Sequence, residues 1–480
     1  MDGEVLWSKC KETVIVLLWF LIFYSILPLT AAGYKNYNVV WEHDFGVNID
    51  GLAVAEGKVF VTTHGADLYC LDERDGKTLW KYNFGAYSEG GFLTEPIYAD
   101  GLVFVGFRGS RLAAFDAEKG TLLWKFDPNA SSSFASKTPP YFWVANGKVF
   151  TSGDGFYAVN AKDGKLLWKY ADYYTGPWSR PTYVRGVCVE GERVFATGAE
   201  LVDGEWIDYI YRLNPDDGSI LWKTQDSMGN ASIVGNEGFL NIYDYYRSQG
   251  IVCLNETDGS ELWNYTISGR IFQPTIANGL VLFGASDGNF YALNVTDGSL
   301  KWKFEKGCKN PKGKFDFAAA KTAHGQVFMG WVDAQMELGE SVSGEYYKYE
   351  GCVYALNLSD GLPNWAINIS NTAWGGSTIR TQSILFNVEN RTLYVTTYAD
   401  IYSLNAEKGT IQWMLHFDYW VLPPIPAYNK LFAAADLKII AFGEAKPTQT
   451  KVSLSLLLIG AIVLVGIGAA AIVVVVRRFL

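Results

Sequence analysis

One spacing recurs along this chain without a single insertion: a small residue, one spacer, Asp or Asn, Gly four residues later, then Trp four later. The copies are Cys70-Asp72-Gly76-Trp80, Ala114-Asp116-Gly120-Trp124, Ala158-Asn160-Gly164-Trp168, Arg212-Asn214-Gly218-Trp222, Cys253-Asn255-Gly259-Trp263, Ala292-Asn294-Gly298-Trp302, Ala355-Asn357-Gly361-Trp365 and Ser403-Asn405-Gly409-Trp413. Arg212 alone breaks the small-residue rule. The intervals between copies vary, whereas the segment inside each copy does not, so that segment has a geometric job. An alternating apolar run precedes each Asp/Asn, and another follows each Gly and ends at the Trp. The turn between them, such as Asp75-Gly76 or Asp297-Gly298, is closed by a glycine at positive φ and an Asp/Asn side chain bonded to the turn backbone. Each copy therefore predicts a hairpin of two outer strands, with the Trp plate filling a gap between neighbouring sheets.

These copies resemble the tryptophan-docking motif of the PQQ-like (quinoprotein-type) β-propellers, and the resemblance covers roughly residues 39–445. It implies an all-β propeller of four-stranded antiparallel blades. The chain ends suggest how the ring closes. Val39-Val40-Trp41-Glu42 reads as an outer strand with a Trp and no preceding turn, and Leu431–Ala434 and Lys438–Gly443 read as inner strands with no following Trp. One blade built from both termini would remove the free sheet edges. The count is then nine units, with the family's usual eight as the alternative. The docking tryptophans are Trp41, Trp80, Trp124, Trp168, Trp222, Trp263, Trp302, Trp365 and Trp413. The two longest Trp intervals, after Trp168 and after Trp302, read as loop insertions containing Leu201–Trp206 and Gln335–Tyr349.

The two ends indicate location. Lys9 and Lys11 precede an apolar run and Thr30-Ala31-Ala32, the pattern of a secretory signal over 1–32, with an uncleaved anchor as the other reading. Residues 452–476 carry no charge and are followed by Arg477-Arg478. That length spans the ~30 Å hydrocarbon core of a bilayer, with the arginines inside. The expected organisation is a propeller over 33–446 outside the cytoplasm, a linker 447–451, a membrane helix 452–476 and a short cytoplasmic tail 477–480. A net charge of −10, concentrated in the repeat region, repels phosphate backbones and argues against nucleic acid. Sequons at Asn129, Asn230, Asn264, Asn368 and Asn390 fit an exported glycoprotein. Those at Asn255, Asn294 and Asn357 coincide with motif turns, which explain them equally well.

A PQQ-dependent dehydrogenase of this family would be expected to carry adjacent cysteines, a Glu/Asn/Asp calcium set and often C-x-x-C-H. No two Cys are adjacent here and no C-x-x-C-H occurs, so no catalytic, metal or cofactor residues are assigned and PQQ is not expected. Neither a hydrolase elbow nor a phosphate loop appears. His43, His64, His324 and His416 show no metal-ligand spacing. Cys70 and Cys253 read as buried thiols, and Cys308 and Cys352 as a candidate disulfide within one unit. Binding remains. Glu95-Pro96, Arg180-Pro181 and Gln273-Pro274 stand at strand entries that, in the family's geometry, line the central channel, so Glu95, Arg180 and Gln273 are the candidate ligand-binding residues. Tyrosine clusters at 170–174, 243–246 and 346–349 add aromatic surface suited to sugars or peptides. The expected function is a membrane-anchored, surface-exposed, non-catalytic and monomeric propeller that binds or scaffolds envelope proteins or glycans. The alternatives are a membrane-tethered quinoprotein oxidoreductase and a sugar-binding receptor module.

Overall fold

The computed structural model describes residues 37–444, except 86–92, 108–110, 129–141, 153–155, 171–185, 191–192, 227–231, 237–238, 244–249, 268, 306–313, 318–319, 339–344, 375–385, 390, 398–399, 418–420 and 436. The signal, linker, membrane-helix and tail assignments at 1–32 and 447–480 lie outside these residues. Among the described residues no helix is long and apolar enough to cross a membrane.

The chain folds as an all-β propeller of antiparallel sheets. The strands sort into nine sheets, in chain order at 49–83, 97–126, 142–170, 186–225, 232–266, 275–305, 314–374 and 386–416, with a closing sheet made from both ends. In the first sheet the order is Ile49–Ala55, Lys58–Thr63, Asp67–Asp72, Thr78–Asn83, each strand pairing with the next. The closing sheet runs Ile425–Ala427, Lys430–Ala435, Lys438–Glu444 and then Tyr37–Asp44 as its outermost strand, with Trp41 opposite Ala441. Apolar clusters fill the spaces between successive sheets. One joins Trp413 to Ala433, Ile440 and Phe442, and another joins Trp41 and Phe432 to Leu52, Val59 and Val61, so the terminal sheet is packed on both sides.

The repeated spacing has a clear structural basis. In all eight copies the first motif residue lies directly across from the Trp, as Ala158 does from Trp168, and the register shifts immediately afterwards. The shift is a β-bulge, and its extra residue is the one before the Trp: Leu79, Leu123, Leu167, Leu221, Leu262, Lys301, Asn364 or Gln412. The bulge turns that residue outward, so Leu79 and Leu221 are about half exposed, at 49% and 52%. The turn follows the expected chemistry. Asp72 Oδ1 accepts the Arg74 N–H at 2.8 Å, Gly76 N–H donates to Asp72 O at 2.9 Å, and Gly76 holds φ +69°.

Eight of the nine docking tryptophans dock on the turn of the next sheet. Trp41, Trp80, Trp124, Trp168, Trp222, Trp263, Trp302 and Trp365 donate their indole N–H to the carbonyls of Glu73, Ala117, Ala161, Pro215, Glu256, Val295, Leu358 and Ala406, at 2.9–3.1 Å. The ring lies against the motif glycine of that turn: a Cβ on Gly164 would stand 2.5 Å from Trp124. The glycine is thus required twice, for its backbone angle and for its missing side chain. Arg212 is accommodated because its guanidinium extends past Trp222 and donates to the same Glu256 carbonyl at 2.9 Å.

The two presumed loop insertions are strand extensions. Strands Arg193–Val202 and Glu205–Leu213 pair up to Val202 opposite Glu205, placing Leu201 across from Trp206. Gln326–Leu338 and Glu345–Asn357 pair up to Leu338 opposite Glu345, so Tyr346, Tyr347 and Tyr349 sit on a strand. The short strand Lys314–Phe317 pairs with the extension at Trp331–Ala334. Alternating sequence with strong β propensity lets a hairpin keep adding pairs beyond the edge of its blade.

Candidate functional site at the inner strands

Backbone proximity between sheets is concentrated at their first strands: Ile49–Ala55 approaches Ile97–Ala99, and Gly186–Glu190 approaches Ser232–Asn236, which approaches Thr275–Ala277. Pairing with the second strand fixes one equivalent position at the entry of these strands, occupied by Gly51, Glu95, Gly186, Ser232, Gln273 and Pro423. The hydrogen bond just before it recurs: Thr94, Phe272 and Leu422 N–H groups donate to Gly106, Gly284 and Ala434 carbonyls at 2.9–3.0 Å. Pro96, Pro274 and Pro424 follow, where a strand's first residue needs no N–H. Glu95 and Gln273 therefore do hold matching places, and both are exposed. Arg180 lies outside the described residues, and the pairing puts Gly186, six residues later, in the matching place. An X-Pro step alone does not fix strand register.

Around Glu95 the first two sheets meet backbone to backbone. A Cβ on Gly51 would collide with Glu95 Cα, so only glycine permits the approach. Next to it, Asp50 Oδ2 accepts the Leu93 N–H at 3.1 Å, and Asp50 Oδ1 lies 3.4 Å from His64 Nδ1. The Thr62 hydroxyl donates to Thr94 O at 2.9 Å, and Thr94 Oγ1 accepts the Gly106 N–H at 2.8 Å. Burial raises the Asp50 carboxyl above the ordinary aspartate value and outweighs the opposing Leu93 and His64 contacts. Glu95 is raised as well, by burial alone. Its side chain is nevertheless exposed to solvent, so the neighbouring backbone crowds the carboxylate without enclosing it. The two carboxyls thus sit near the same sheet boundary in different settings, Asp50 tied into the Leu93 and His64 contacts and Glu95 exposed at the strand entry.

A second polar cluster carries no sequence signature. Glu200 accepts the Tyr211 hydroxyl at 2.9 Å, the Tyr170 hydroxyl at 3.3 Å and the Lys223 ammonium at 2.7 Å, while Lys223 lies 4.5 Å over the Tyr209 ring. Burial works against the Glu200 charge, but Lys223 and the two phenols hold its carboxyl below the usual range. The Tyr211 phenol is driven up by burial, beside Tyr170 and Glu200. Glu200 lies opposite Ile207 within the extended hairpin, so this network braces the extension against Tyr170 of the preceding sheet. Charged struts also cross the sheet boundaries: Lys58 to Glu118 at 2.7 Å, Lys148 to Asp216 at 2.6 Å, Arg193 to Glu256 at 2.6 Å and Lys430 to Glu73 at 2.5 Å.

The remaining candidates are placed as follows. Cys70 and Cys253 are buried free thiols, pushed up to about 12 by burial. Cys352 is buried with its Sγ 3.8 Å from Val353 O, and its candidate partner Cys308 lies outside the described residues. Asn129, Asn230 and Asn390 also lie outside them, whereas Asn264 and Asn368 are exposed on outermost strands. Among the described residues no three His, Cys, Asp or Glu side chains gather as a metal site. His416 instead pairs with Asp400 at 2.7 Å, and His43 Nδ1 lies 2.9 Å from Gly76 O across the closing seam.

Comparison with known proteins agrees with this geometry. A stretch of the chain is 26% identical over 181 residues to the outer membrane protein assembly factor BamB of Burkholderia pseudomallei, covering 38% of this chain and 41% of that protein. Another is 26% identical over 144 residues to the tetrathionate hydrolase of Acidithiobacillus ferrooxidans, covering 23% and 29%. Both matches span less than half of either relative. Among solved structures, the quinohemoprotein alcohol dehydrogenase of Comamonas testosteroni superposes with a TM-score of 0.52 at 12% identity, over 87% of this chain and 78% of the other, a likeness of fold alone. The family model described as outer membrane protein assembly factor BamB matches residues 29–200 and 207–372, and with more than half of its length inside that match the chain belongs to this family of PQQ-like repeat propellers.

Proposed function

We propose that this protein is a non-catalytic scaffold of the cell envelope, a propeller that holds other envelope proteins through its inner-strand mouth. The observation that carries the reading is the division of labour among polar groups. The motif residues are spent on docking one sheet to the next, while Glu95 and Gln273 stand exposed at equivalent inner-strand entries and Asp50 lies beside the entry of Glu95. An exposed carboxylate at the strand entry suits a Lys- or Arg-bearing segment of a partner protein. The assembly-factor relatives support a scaffold over an oxidoreductase. We read the ring as nine-bladed rather than the family's usual eight, on the nine sheets and the packing of the terminal sheet on both sides. The sequence pattern of 1–32 and 452–480 supports an exported, single-pass arrangement in which the propeller works outside the membrane as a monomer and 452–476 holds it there.

The test uses the full chain in its natural membranes. Chemical crosslinking followed by mass spectrometry should recover envelope proteins joined near Glu95, and Asp50→Asn with Glu95→Gln should remove those crosslinks while leaving a folded propeller. Crosslinks that survive the double substitution would exclude the mouth. Dye-linked alcohol oxidation by the purified protein supplied with PQQ would instead establish the oxidoreductase, and capture of glycans in place of proteins would establish the receptor module.

A further inference from the structure

Every sheet ends in an outermost strand whose far edge has no pairing partner within its own sheet, a position that invites association with other chains. The residue after the docking Trp is exposed on that strand. It is charged in six sheets, as Glu42, Lys81, Lys125, Lys169, Lys223 and Lys303. Charge at this place is a recognised guard against edge-to-edge pairing. In three sheets the charge is missing, and Asn264, Ala366 and Met414 stand there instead. Asn264 begins the sequon Asn264-Tyr265-Thr266, and two residues beyond Ala366 on the same strand lies Asn368-Ile369-Ser370. Thus two of the three edge strands that lack a charge at this position carry a sequon on the strand itself.

The structure separates these two asparagines from the motif sequons. Asn264 and Asn368 are exposed, and the Asn264 amide bonds only to a side chain that is itself exposed, Glu261, at 2.6 Å among the contacts seen. Asn255, Asn294 and Asn357 are half-buried, with each Oδ1 accepting the N–H two residues on, from Thr257, Thr296 and Ser359. The residue after each of them receives a docked indole: Trp222 on Glu256, Trp263 on Val295 and Trp302 on Leu358. A sugar on those turns would collide with the docking of the preceding sheet.

We propose that Asn264 and Asn368 are N-glycosylation sites whose glycans guard two sheet edges that lack the charge after the docking Trp, and that the motif asparagines stay unmodified. In the reaction, Asn Nδ2 forms a bond to the anomeric carbon of a lipid-phosphate-linked oligosaccharide. The bond from that carbon to the phosphate oxygen breaks, the lipid phosphate leaves with the electron pair, and Nδ2 gives up one proton. A bulky, solvated glycan there does what the edge lysines do elsewhere. The proposal rests on the reading that residues 33–446 are exported.

The experiment takes the full chain from its natural membranes, maps its peptides by mass spectrometry before and after chemical deglycosylation, and in parallel treats intact cells with protease. Glycan mass on the peptides of Asn264 and Asn368, and none on those of Asn255, Asn294 and Asn357, supports the proposal. Unmodified Asn264 and Asn368 on a protease-accessible propeller overturns it alone, whereas a protease-protected propeller overturns the export reading. Modification of the motif asparagines to the same extent overturns the selection by structure. Asn264→Gln should aggregate several-fold faster than the wild type and Asn264→Lys should not; equal solubility of the two variants would overturn the guarding role.

Discussion

The indole of Trp168 lies so close over Gly218 that a Cβ on that glycine would stand 2.6 Å from the ring, and the same indole donates to Pro215 O at 3.0 Å. One side chain on one sheet thus selects both the backbone angle and the size of a residue fifty positions away on the next. The two residues act as a single joint, and it is repeated around the ring.

Gly218→Ala should cost about 2–4 kcal/mol, from crowding of the ring together with left-handed strain at φ +70°. Gly204→Ala is the control, because Gly204 has φ +87° with nothing within 4 Å of a Cβ and should show the backbone strain alone. Urea unfolding with an unchanged slope measures both; equal losses would mean that the ring makes no steric demand.

Trp168→Ala should lower stability by ~3–5 kcal/mol, as other truncations of buried tryptophan do. Trp168→Phe keeps most of the apolar plate but leaves Pro215 O without its donor, for a smaller loss of about 1–3 kcal/mol. Calorimetry on the two variants checks the order.

Asp50→Asn should stabilise the protein at neutral pH. The folded carboxyl titrates above its ordinary value of 3.8, so its protonated form is favoured by folding. Its favourable contribution is complete below pH 3.8 and disappears as pH rises through the raised folded value. Asparagine is neutral throughout and still accepts the Leu93 N–H, so the variant's advantage should be present at pH 7 and absent at pH 3. Unfolding midpoints at the two pH values decide the matter, and a destabilised variant at pH 7 would contradict the desolvation argument.

The closing seam relies on Lys430, whose ammonium reaches both Glu73 Oε2 at 2.5 Å and Glu73 O at 3.0 Å, the latter also taken by Trp41. Glu73→Gln and Lys430→Met should show a coupling energy above about 1 kcal/mol in a double-mutant cycle, since both side chains are mostly shielded. Hydrogen exchange should speed up first at 37–44, the strand added from the other end of the chain.

What the sequence determined by itself was the joint and its recurrence in eight in-register copies. A hairpin is local: Asp72, Gly76 and Trp80 must keep their spacing because turn, bulge and docked ring lie within one short stretch, and any insertion would turn the ring off its target. Exposure of Leu79 and its counterparts was not legible, since the bulge shows only in the pairing. The strand extensions were misread as loops because an alternating segment looks the same whether or not it finds a partner. Asp50 and Leu93, Glu200 and Lys223, and Lys430 and Glu73 could be joined only by the tertiary structure. Each pair meets because strands from different hairpins, or from opposite ends of the chain, are brought side by side, and no periodicity along the chain encodes that distance. Strand entry shows the same limit. A Pro after a polar residue marks a strand entry in several sheets, but register is decided by the paired strand, which placed Gly186 where the chain alone suggested an arginine.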